Sequence, residues 1–107
     1  MYQMDHILVA IKRLCQAGNV VFTAKAEIEL DRDGLTEQDV IEAIFNADRI
    51  KKRLRSTNSA TGRRETLYVI ESSTWDGVPI YTKGKIVPDP EGDRFYVLIS
   101  SKRSTQK

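Results

Sequence analysis

The sequence predicts an α+β domain, in which three N-terminal helices pack on one face of a three- to four-stranded antiparallel sheet. Two observations favour this fold class. Apolar residues recur at helical spacing as far as Asn46, and from Arg49 onward they alternate with polar or basic residues as they do in strands. A chain of 107 residues has room for one core. Residues 1–107 are therefore interpreted as a single domain.

Each predicted helix begins at a residue that can cap it. Asp5 is placed to cap the first helix and Thr23 the second, which runs through Leu30. Thr36 followed by Asp39 is a capping-box pattern, and it predicts the start of the third helix. The residues predicted to face the core are Ile7, Leu8, Ile11, Leu14 and Cys15 in the first helix, Ala24 and Ile28 in the second, and Val40, Ile41, Ile44 and Phe45 in the third.

Alternating segments after Arg49 predict the strands. Asp76-Gly77 is typical of a type I′ turn and joins two of these segments into a hairpin. A turn-rich segment, residues 56–62, precedes the hairpin, and a loop with two prolines follows it. The predicted strands are residues 49–55, 64–74, 78–87 and 94–101, and residues 104–107 are predicted to form a frayed tail.

The last two strands place basic and aromatic residues at alternate positions, which predicts a sheet with one buried face. In the hairpin strand, one set of alternate positions contains Ile80, Thr82, Gly84 and Ile86, and the other contains Tyr81, Lys83 and Lys85. In the last strand, strict alternation groups Tyr96, Leu98, Ser100 and Lys102. Such a sheet can present a tyrosine and several cations on its open face or at its end. That combination suits a phosphate-rich partner.

Charge is distributed unevenly along the chain, although the net charge is only +2. Residues 1–48 contain four Lys or Arg against nine Asp or Glu (−5), and residues 49–107 contain thirteen against six (+7). Such asymmetry indicates contact with nucleic acid or with an acidic partner. Solvated strand faces also carry Lys and Arg to block edge pairing, which leaves a second interpretation open.

Composition excludes several classes of protein. No apolar run approaches the ~20 residues of a membrane-spanning helix, and the N-terminus MYQMDH lacks the layout of a signal peptide. A cytoplasmic protein with no membrane contact is therefore expected. The chain has one cysteine, Cys15, and one histidine, His6, which argues against a zinc site. We expect no metal and no cofactor, and we expect Cys15 to be a buried free thiol.

Two segments of the first half resemble a known family. The segments FTAKA (22–26) and DGLTEQDV (33–40) resemble the opening of the uncharacterised DUF4258 family, whose pattern is F-[ST]-x-H-A, a helix, and R-G-[IL]-[ST]-x-x-D-V. The chain departs from this pattern at Lys25, where the family has histidine, and at Asp33 before the glycine.

The first helix with Ala17-Gly18-Asn19-Val20, and the segments IYTK (80–83) and VLISSK (97–102), resemble a better characterised group. These are the motility quorum-sensing regulator toxins, which cleave messenger RNA and belong to the RelE-like superfamily. The resemblance implies a RelE-like fold, a metal-independent endoribonuclease (an mRNA interferase), an RNA substrate and a cognate antitoxin. It matches Lys102 to the lysine of the C-terminal strand, Tyr81 to the hairpin tyrosine, and Lys51 to an upstream lysine. The glutamine of the preceding strand has no clear counterpart, and Tyr68 is nearest to it.

The chemistry of such an enzyme defines what the site needs. The 2′-hydroxyl attacks the adjacent phosphorus, so the site needs a base, an acid and positive charge for the phosphorane. Free tyrosine and lysine have pKa values near 10, and clustered cations lower them. The hypothesis assigns catalysis to Tyr81, Lys102 and Lys51, and substrate binding to Arg53, Arg55, Lys83 and Arg103.

Two other functions stay open at this point. One is a non-catalytic module that binds nucleic acid or protein on the same fold. The other is a dimerising interaction domain whose basic strands are only solvated, in which Tyr81 packs and Lys102 protects an edge. The ribonuclease hypothesis requires Tyr81, Lys102 and at least one arginine to converge within reach of a single phosphate.

Overall fold

A computed structural model describes residues 5–105 and confirms an α+β domain with three helices. The elements are α1 (His6–Gln16), β1 (Val20–Phe22), α2 (Ala24–Arg32), α3 (Glu37–Asn46), β2 (Lys52–Thr57), β3 (Arg64–Ser73), β4 (Pro79–Pro88) and β5 (Arg94–Arg103). None of these helices is long and apolar enough to cross a membrane. The expectations for residues 1–4 and for the tail residues 106–107 lie outside the described range.

The strands of residues 5–105 form a five-stranded mixed sheet in the order β1-β5-β4-β3-β2, so the prediction of three to four antiparallel strands is wrong. The additional strand, β1, pairs parallel to β5, with Val20 opposite Tyr96 and Phe22 opposite Leu98. A three-residue strand is too short to show alternation. Its partner lies more than seventy residues away, so local patterns carry no signal for the pair.

All three predicted helix caps are confirmed. The Asp5 carboxylate accepts the Ile7 N–H at 2.8 Å, and the Thr23 hydroxyl accepts the Ala26 N–H at 3.2 Å. Thr36 and Asp39 form the full capping box, because each side chain accepts the backbone N–H of the other residue. These caps satisfy amide groups that a helix leaves without an internal partner.

A hydrophobic core joins the three helices to one face of β3, β4 and β5, which we call the helix side of the sheet. Its buried members include Leu8, Ile11 and Cys15 in α1, Ala26 and Leu30 in α2, Val40, Ala43 and Ile44 in α3, and Ile70, Ile80, Tyr96 and Leu98 in the strands. Cys15 is the expected buried free thiol. Burial raises its pKa to about 11, so the thiol stays protonated at neutral pH.

The inward face of α2 differs from the prediction. Ile28 is 58% exposed, and Ala26 and Leu30 are buried instead. The reason is that α2 lies beside the edge of β5 rather than flat on the sheet. The hydroxyl of Ser101 in β5 donates to the Ala26 carbonyl at 3.1 Å, which turns this side of the helix toward the strand. Phe45 in α3, also predicted to be buried, is 38% exposed.

The β3–β4 hairpin closes through a three-residue loop, not the predicted type I′ turn. Thr74 and Val78 are joined by a backbone hydrogen bond of 3.0 Å and enclose Trp75, Asp76 and Gly77. A type I′ turn requires positive φ at both central residues. Gly77 has φ of +86°, but no residue other than glycine in the described range has positive φ.

An irregularity in the β4–β5 ladder decides which way the end of β5 faces. Lys83 pairs with Ser100, but the next residue, Gly84, pairs with Leu98. Ile99 is therefore left without a partner on β4, as in a β-bulge. One extra residue reverses the alternation that follows it, so Lys102 lies on the face opposite to Leu98. The strict alternation that grouped these two residues is wrong.

Gly84 accommodates the largest core side chain beside this irregularity. Tyr96 is fully buried, and its ring lies directly against Gly84. A Cβ atom added at Gly84 would lie 2.6 Å from Cζ of Tyr96, well inside van der Waals contact. The Tyr96 hydroxyl has no hydrogen-bond partner among the described residues. Burial raises its pKa, so the group stays neutral.

We predict that Gly84→Ala lowers the free energy of unfolding by about 1–3 kcal/mol, the usual cost of overpacking a core. The added methyl group forces the Tyr96 ring or strand β4 to move. Urea unfolding followed by circular dichroism measures the change. The adjacent Lys83→Ala, on the opposite face of β4, is the control and should change stability by less than about 0.5 kcal/mol. Equal stability of the Gly84→Ala variant and the wild type would contradict this packing.

Candidate functional site

A cavity of about 530 Å³ lies where β5 ends beside β4 and α2. We call it the Tyr81 cavity. Its lining residues come from four elements, from the C-cap of α2 and from the two residues that follow β5, and they are Glu29, Arg32, Asp33, Glu71, Tyr81, Lys102, Arg103, Ser104 and Thr105. Strand ends and helix ends thus converge on one concavity, whose lining is mostly polar and charged.

Three of the lining residues form a row across the sheet. Tyr81 in β4 lies directly opposite Lys102 in β5 and directly opposite Glu71 in β3. Directly opposed residues in antiparallel strands project from the same face. Lys102 Nζ lies 5.5 Å from the centroid of the Tyr81 ring, within the range of a cation–π contact. The row faces away from the helix side of the sheet.

Glu71 links this row to Lys51 and to Ser104. Lys51 Nζ donates to Glu71 Oε1 in an ion pair, and Ser104 Oγ donates to Glu71 Oε2 at 2.6 Å. The hydrogen bond from Lys51, and then that from Ser104, lower the pKa of Glu71. The carboxylate is therefore charged at neutral pH, and it holds the Lys51 ammonium beside the cavity.

Sequence reasoning missed Glu71, although the hairpin contained a signal for it. Glu71 and Tyr81 lie at equal distances from Asp76, so a hairpin centred on Asp76 places them opposite each other. Tyr68, which lay nearest to the missing glutamine, is packed against the core on the helix side. It therefore does not face the Tyr81 cavity.

Carboxylates of α2 and its C-cap hold the free edge of β5 in place. Glu29 Oε1 accepts the Ser101 N–H at 3.1 Å and the Ser100 hydroxyl at 2.7 Å. Asp33 Oδ2 accepts the Arg103 N–H at 2.8 Å. Edge strands need partners of this kind when no further strand covers them, and β1 ends opposite Leu98. These bonds fix the backbone that carries Lys102.

The Tyr81 cavity has as many acidic as basic side chains, but the two sets differ in the bonds that they form with the rest of the protein. The acids are Glu29, Asp33 and Glu71, and the cations are Arg32, Lys102 and Arg103. Every acid accepts a hydrogen bond. Burial alone would raise the pKa of Glu29, but hydrogen bonds from Ser100 and Lys25 outweigh it, and the pKa is lowered. None of the three cations forms an ion pair within residues 5–105. They remain available to an anionic ligand.

The structure brings together part of the predicted site. Tyr81, Lys102 and Arg103 line one cavity, although Arg103 lies opposite Ile80, on the helix side of β5. Lys51 is joined to the cavity through Glu71. Lys83 lies on the same face of the sheet, opposite Val69 and Ser100, but outside the cavity.

Arg53 and Arg55, both predicted to bind substrate with this group, lie on the other face of the sheet. Arg53 is opposite Tyr68 and Arg55 is opposite Thr66. These positions of the two strands lie on the helix side of the sheet. Arg53 also forms an ion pair with the cap of α1, Asp5. The hydrogen bond from this guanidinium is the main cause that lowers the pKa of Asp5. The structure thus places both arginines on the face opposite to Tyr81, because neighbouring positions of a strand alternate between faces.

Comparisons with known proteins add no relatives: no family model, curated protein or solved structure matches this chain. Among residues 5–105, no group of three or more His, Cys, Asp or Glu side chains is placed to hold a metal ion.

We predict that the Glu71–Lys51 pair makes stability depend on pH. A carboxylate with a lowered pKa stabilises the fold above its ordinary pKa of 4.5, and this contribution is lost as the pH falls through the lowered value. Glu71→Gln should therefore lower stability at pH 7 by about 0.5–1 kcal/mol, as expected for a partly exposed pair. Below pH 4.5, the variant should also lose less stability than the wild type does as the pH falls.

Urea unfolding of both proteins at neutral and at acidic pH tests this prediction. Glu91→Gln, which removes an exposed carboxylate in the β4–β5 loop, is the matched control and should leave the pH dependence of the wild type unchanged. If the Glu71→Gln variant were less stable than the wild type by the same amount at acidic and at neutral pH, the contribution of this ion pair would be refuted.

Proposed function

We propose that this protein is a toxin-like, metal-independent endoribonuclease that cleaves messenger RNA. The observation that carries the proposal is the convergence of Tyr81, Lys102 and Arg103 on one cavity. This is the arrangement that cleavage of RNA through its own 2′-hydroxyl requires. A cytoplasmic location, and a cognate antitoxin that covers the cavity, belong to the same proposal.

In the proposed reaction, Arg103 and Arg32 bind the reacting phosphate, the group whose bond to the 5′-oxygen is cleaved. The 2′-oxygen forms a bond to phosphorus while the bond from phosphorus to the 5′-oxygen breaks. The products are a 2′,3′-cyclic phosphate and a free 5′-hydroxyl. Tyr81 acts in its phenolate form and takes the proton of the 2′-hydroxyl, and the Lys102 ammonium gives a proton to the leaving 5′-oxygen. Transfer of a proton from Tyr81 to Lys102 then restores the site. The reaction thus needs one group that accepts a proton and one that donates a proton. Tyr81 and Lys102 lie side by side in the cavity and can fill these two roles.

Glu71 has a positioning role in this scheme. Its lowered pKa makes it a weak base, and both of its oxygens already accept hydrogen bonds. It forms an ion pair with Lys51 beside the row, so the two charges offset each other. Glu71 and Lys51 therefore position the row, whereas Tyr81 and Lys102 carry the protons.

A second candidate is a non-catalytic module that binds RNA. The three carboxylates of the cavity favour it, because they oppose the approach of a phosphate to Lys102. This candidate predicts binding of RNA without cleavage, so a single assay separates the two functions.

We predict that the purified protein cleaves single-stranded RNA in the presence of EDTA and leaves a 2′,3′-cyclic phosphate. Lys102→Ala and Tyr81→Phe should each lower the cleavage rate by at least about 100-fold, the usual contribution of a proton-transfer group. Mass spectrometry of the products, and gel assays of the rates, measure both effects. A 2′-O-methyl group at the cleaved position should abolish cleavage there.

Arg94→Ala is the control for these variants, because Arg94 is an exposed cation at the far end of the same strand. It should cleave as the wild type does. A folded wild-type protein that binds RNA and does not cleave it would reject the endoribonuclease and favour the binding module. Full activity of the Lys102→Ala variant would remove the Tyr81 cavity as the site.

A further inference from the structure

The densest positive charge of the chain lies away from the Tyr81 cavity. Residues 49–64 contain seven cations and no Asp or Glu: Arg49, Lys51, Lys52, Arg53, Arg55, Arg63 and Arg64. The structure gives Lys51 and Arg53 acidic partners from elsewhere in the chain, Glu71 and Asp5. The three arginines at the β2–β3 turn, Arg55, Arg63 and Arg64, form no ion pair within residues 5–105. We call these three residues the arginine patch.

The arginine patch borders two adjoining depressions at the free end of the sheet. Arg55 and Arg64 line the smaller one, of about 290 Å³, together with Ser56 and Thr57. The larger one, of about 530 Å³, is lined by Arg63, Arg64 and the ring of Tyr68, among others. Arg55 lies opposite Thr66, on the helix side of β2 and β3, so the patch and the Tyr81 row occupy different faces of the sheet.

The loop that presents Arg63 and Arg64 is organised by one side chain. Asn58 Oδ1 accepts the N–H groups of Ala60 at 2.9 Å and of Thr61 at 3.2 Å. Backbone bonds join Asn58 N–H to the Arg63 carbonyl and Gly62 N–H to the Asn58 carbonyl, both at 2.8 Å. The backbone that carries the two arginines is thus held in place before any ligand arrives, which lowers the entropic cost of binding.

The nearest acid does not compensate this charge. Glu65 accepts hydrogen bonds from Lys85 at 2.8 Å and from Asn58 at 3.2 Å. The bond from Lys85, followed by that from Asn58, lowers the pKa of Glu65. Its negative charge is matched by Lys85, so Arg55, Arg63 and Arg64 retain an excess of positive charge.

We propose that the arginine patch is a second RNA-binding surface, which holds the backbone of a single-stranded RNA outside the Tyr81 cavity. Guanidinium groups bind phosphate oxygens in a bidentate manner, and the hydroxyls of Ser56 and Thr57 are the polar groups that contact phosphates and sugars. The Arg53 guanidinium lies over the Tyr68 ring at the same depression, 5.8 Å from the ring centroid, so recognition at the patch is by contacts with phosphates and sugars.

Single-stranded RNA also fits the position of the patch in the sheet. β2 is one of the two edge strands among residues 5–105, so a flexible RNA strand can pass around it from the helix side to the face of Tyr81. Exposed Lys52 lies on that edge, opposite Val69 on the Tyr81 face. The distance along β3 from Thr66 to Glu71 is about 17 Å, at ~3.4 Å per residue. A stiff duplex cannot follow this turn.

The inference rests on the proposed function only for the choice of RNA, because binding is measured without cleavage. The probe is a fluorescent, fifteen-nucleotide 2′-O-methyl RNA, which lacks the attacking hydroxyl. Fluorescence anisotropy gives Kd over a range of salt concentrations. The test variant is Arg55→Gln/Arg64→Gln. The control, Arg13→Gln/Arg94→Gln, removes the same charge from exposed positions elsewhere. Thermal unfolding checks that both are folded.

We expect the patch variant to bind about tenfold more weakly than the control. The slope of log Kd against log salt should fall by about 1.4, which corresponds to about 0.7 for each lost contact with a single strand. Equal Kd values and equal slopes for the two variants would overturn the inference. So would binding of a fifteen-residue poly-glutamate that is as tight as that of RNA and equally sensitive to the patch variant.

The outcome is distinguishable from failure of the proposed function. Patch-dependent binding by a wild-type protein that cleaves no RNA would reject the endoribonuclease and retain the patch. Cleavage by the wild type, combined with equal binding by the patch and control variants, would reject the patch alone.

Discussion

The extra residue in β5 is the constraint on which the candidate site depends. Ile99 has no partner on β4, and this single step reverses the alternation of the strand. Without it, Lys102 would lie on the helix side with Leu98, and Tyr81 would lie opposite Ser101. With it, Lys102 comes to lie against Tyr81 on the other face. Glu29 and Asp33 then hold the end of β5 by accepting its edge N–H groups.

Local signals predicted the elements of the fold well, and long-range pairing lay beyond them. The caps Asp5, Thr23 and Thr36 marked all three helix starts, because capping depends on residues two or three positions apart. Strand β1 was missed because its pairing with β5 joins distant segments. The side of α2 that faces the core was wrong because bonds to β5, made by Ala26 and Glu29, set the rotation of the helix.

The site was predictable in its residue types and only partly in its grouping. Tyr81, Lys102 and Arg103 were named from the sequence and line one cavity. Strict alternation was nevertheless wrong for Lys102, because a bulge leaves no simple mark in the residue pattern. A second difference between sequence and structure concerns the basic residues that precede the β3–β4 hairpin. They were treated as one cluster, whereas Lys51 reaches Glu71 and Arg53 lies on the helix side. The chain thus has a charge-balanced cavity at Tyr81 and a separate basic patch at the β2–β3 turn.

The most direct test of this account is the pairing of β4 with β5 in solution. Nuclear Overhauser spectra of isotope-labelled protein report which protons lie close together across the two strands. The structure predicts contacts between the Tyr81 ring and the side-chain methylenes of Lys102, and a backbone register that joins Lys83 to Ser100 and Gly84 to Leu98. A continuous register, with Tyr81 opposite Ser101 and no contact to Lys102, would contradict the bulge and separate the two residues on which the proposed chemistry depends.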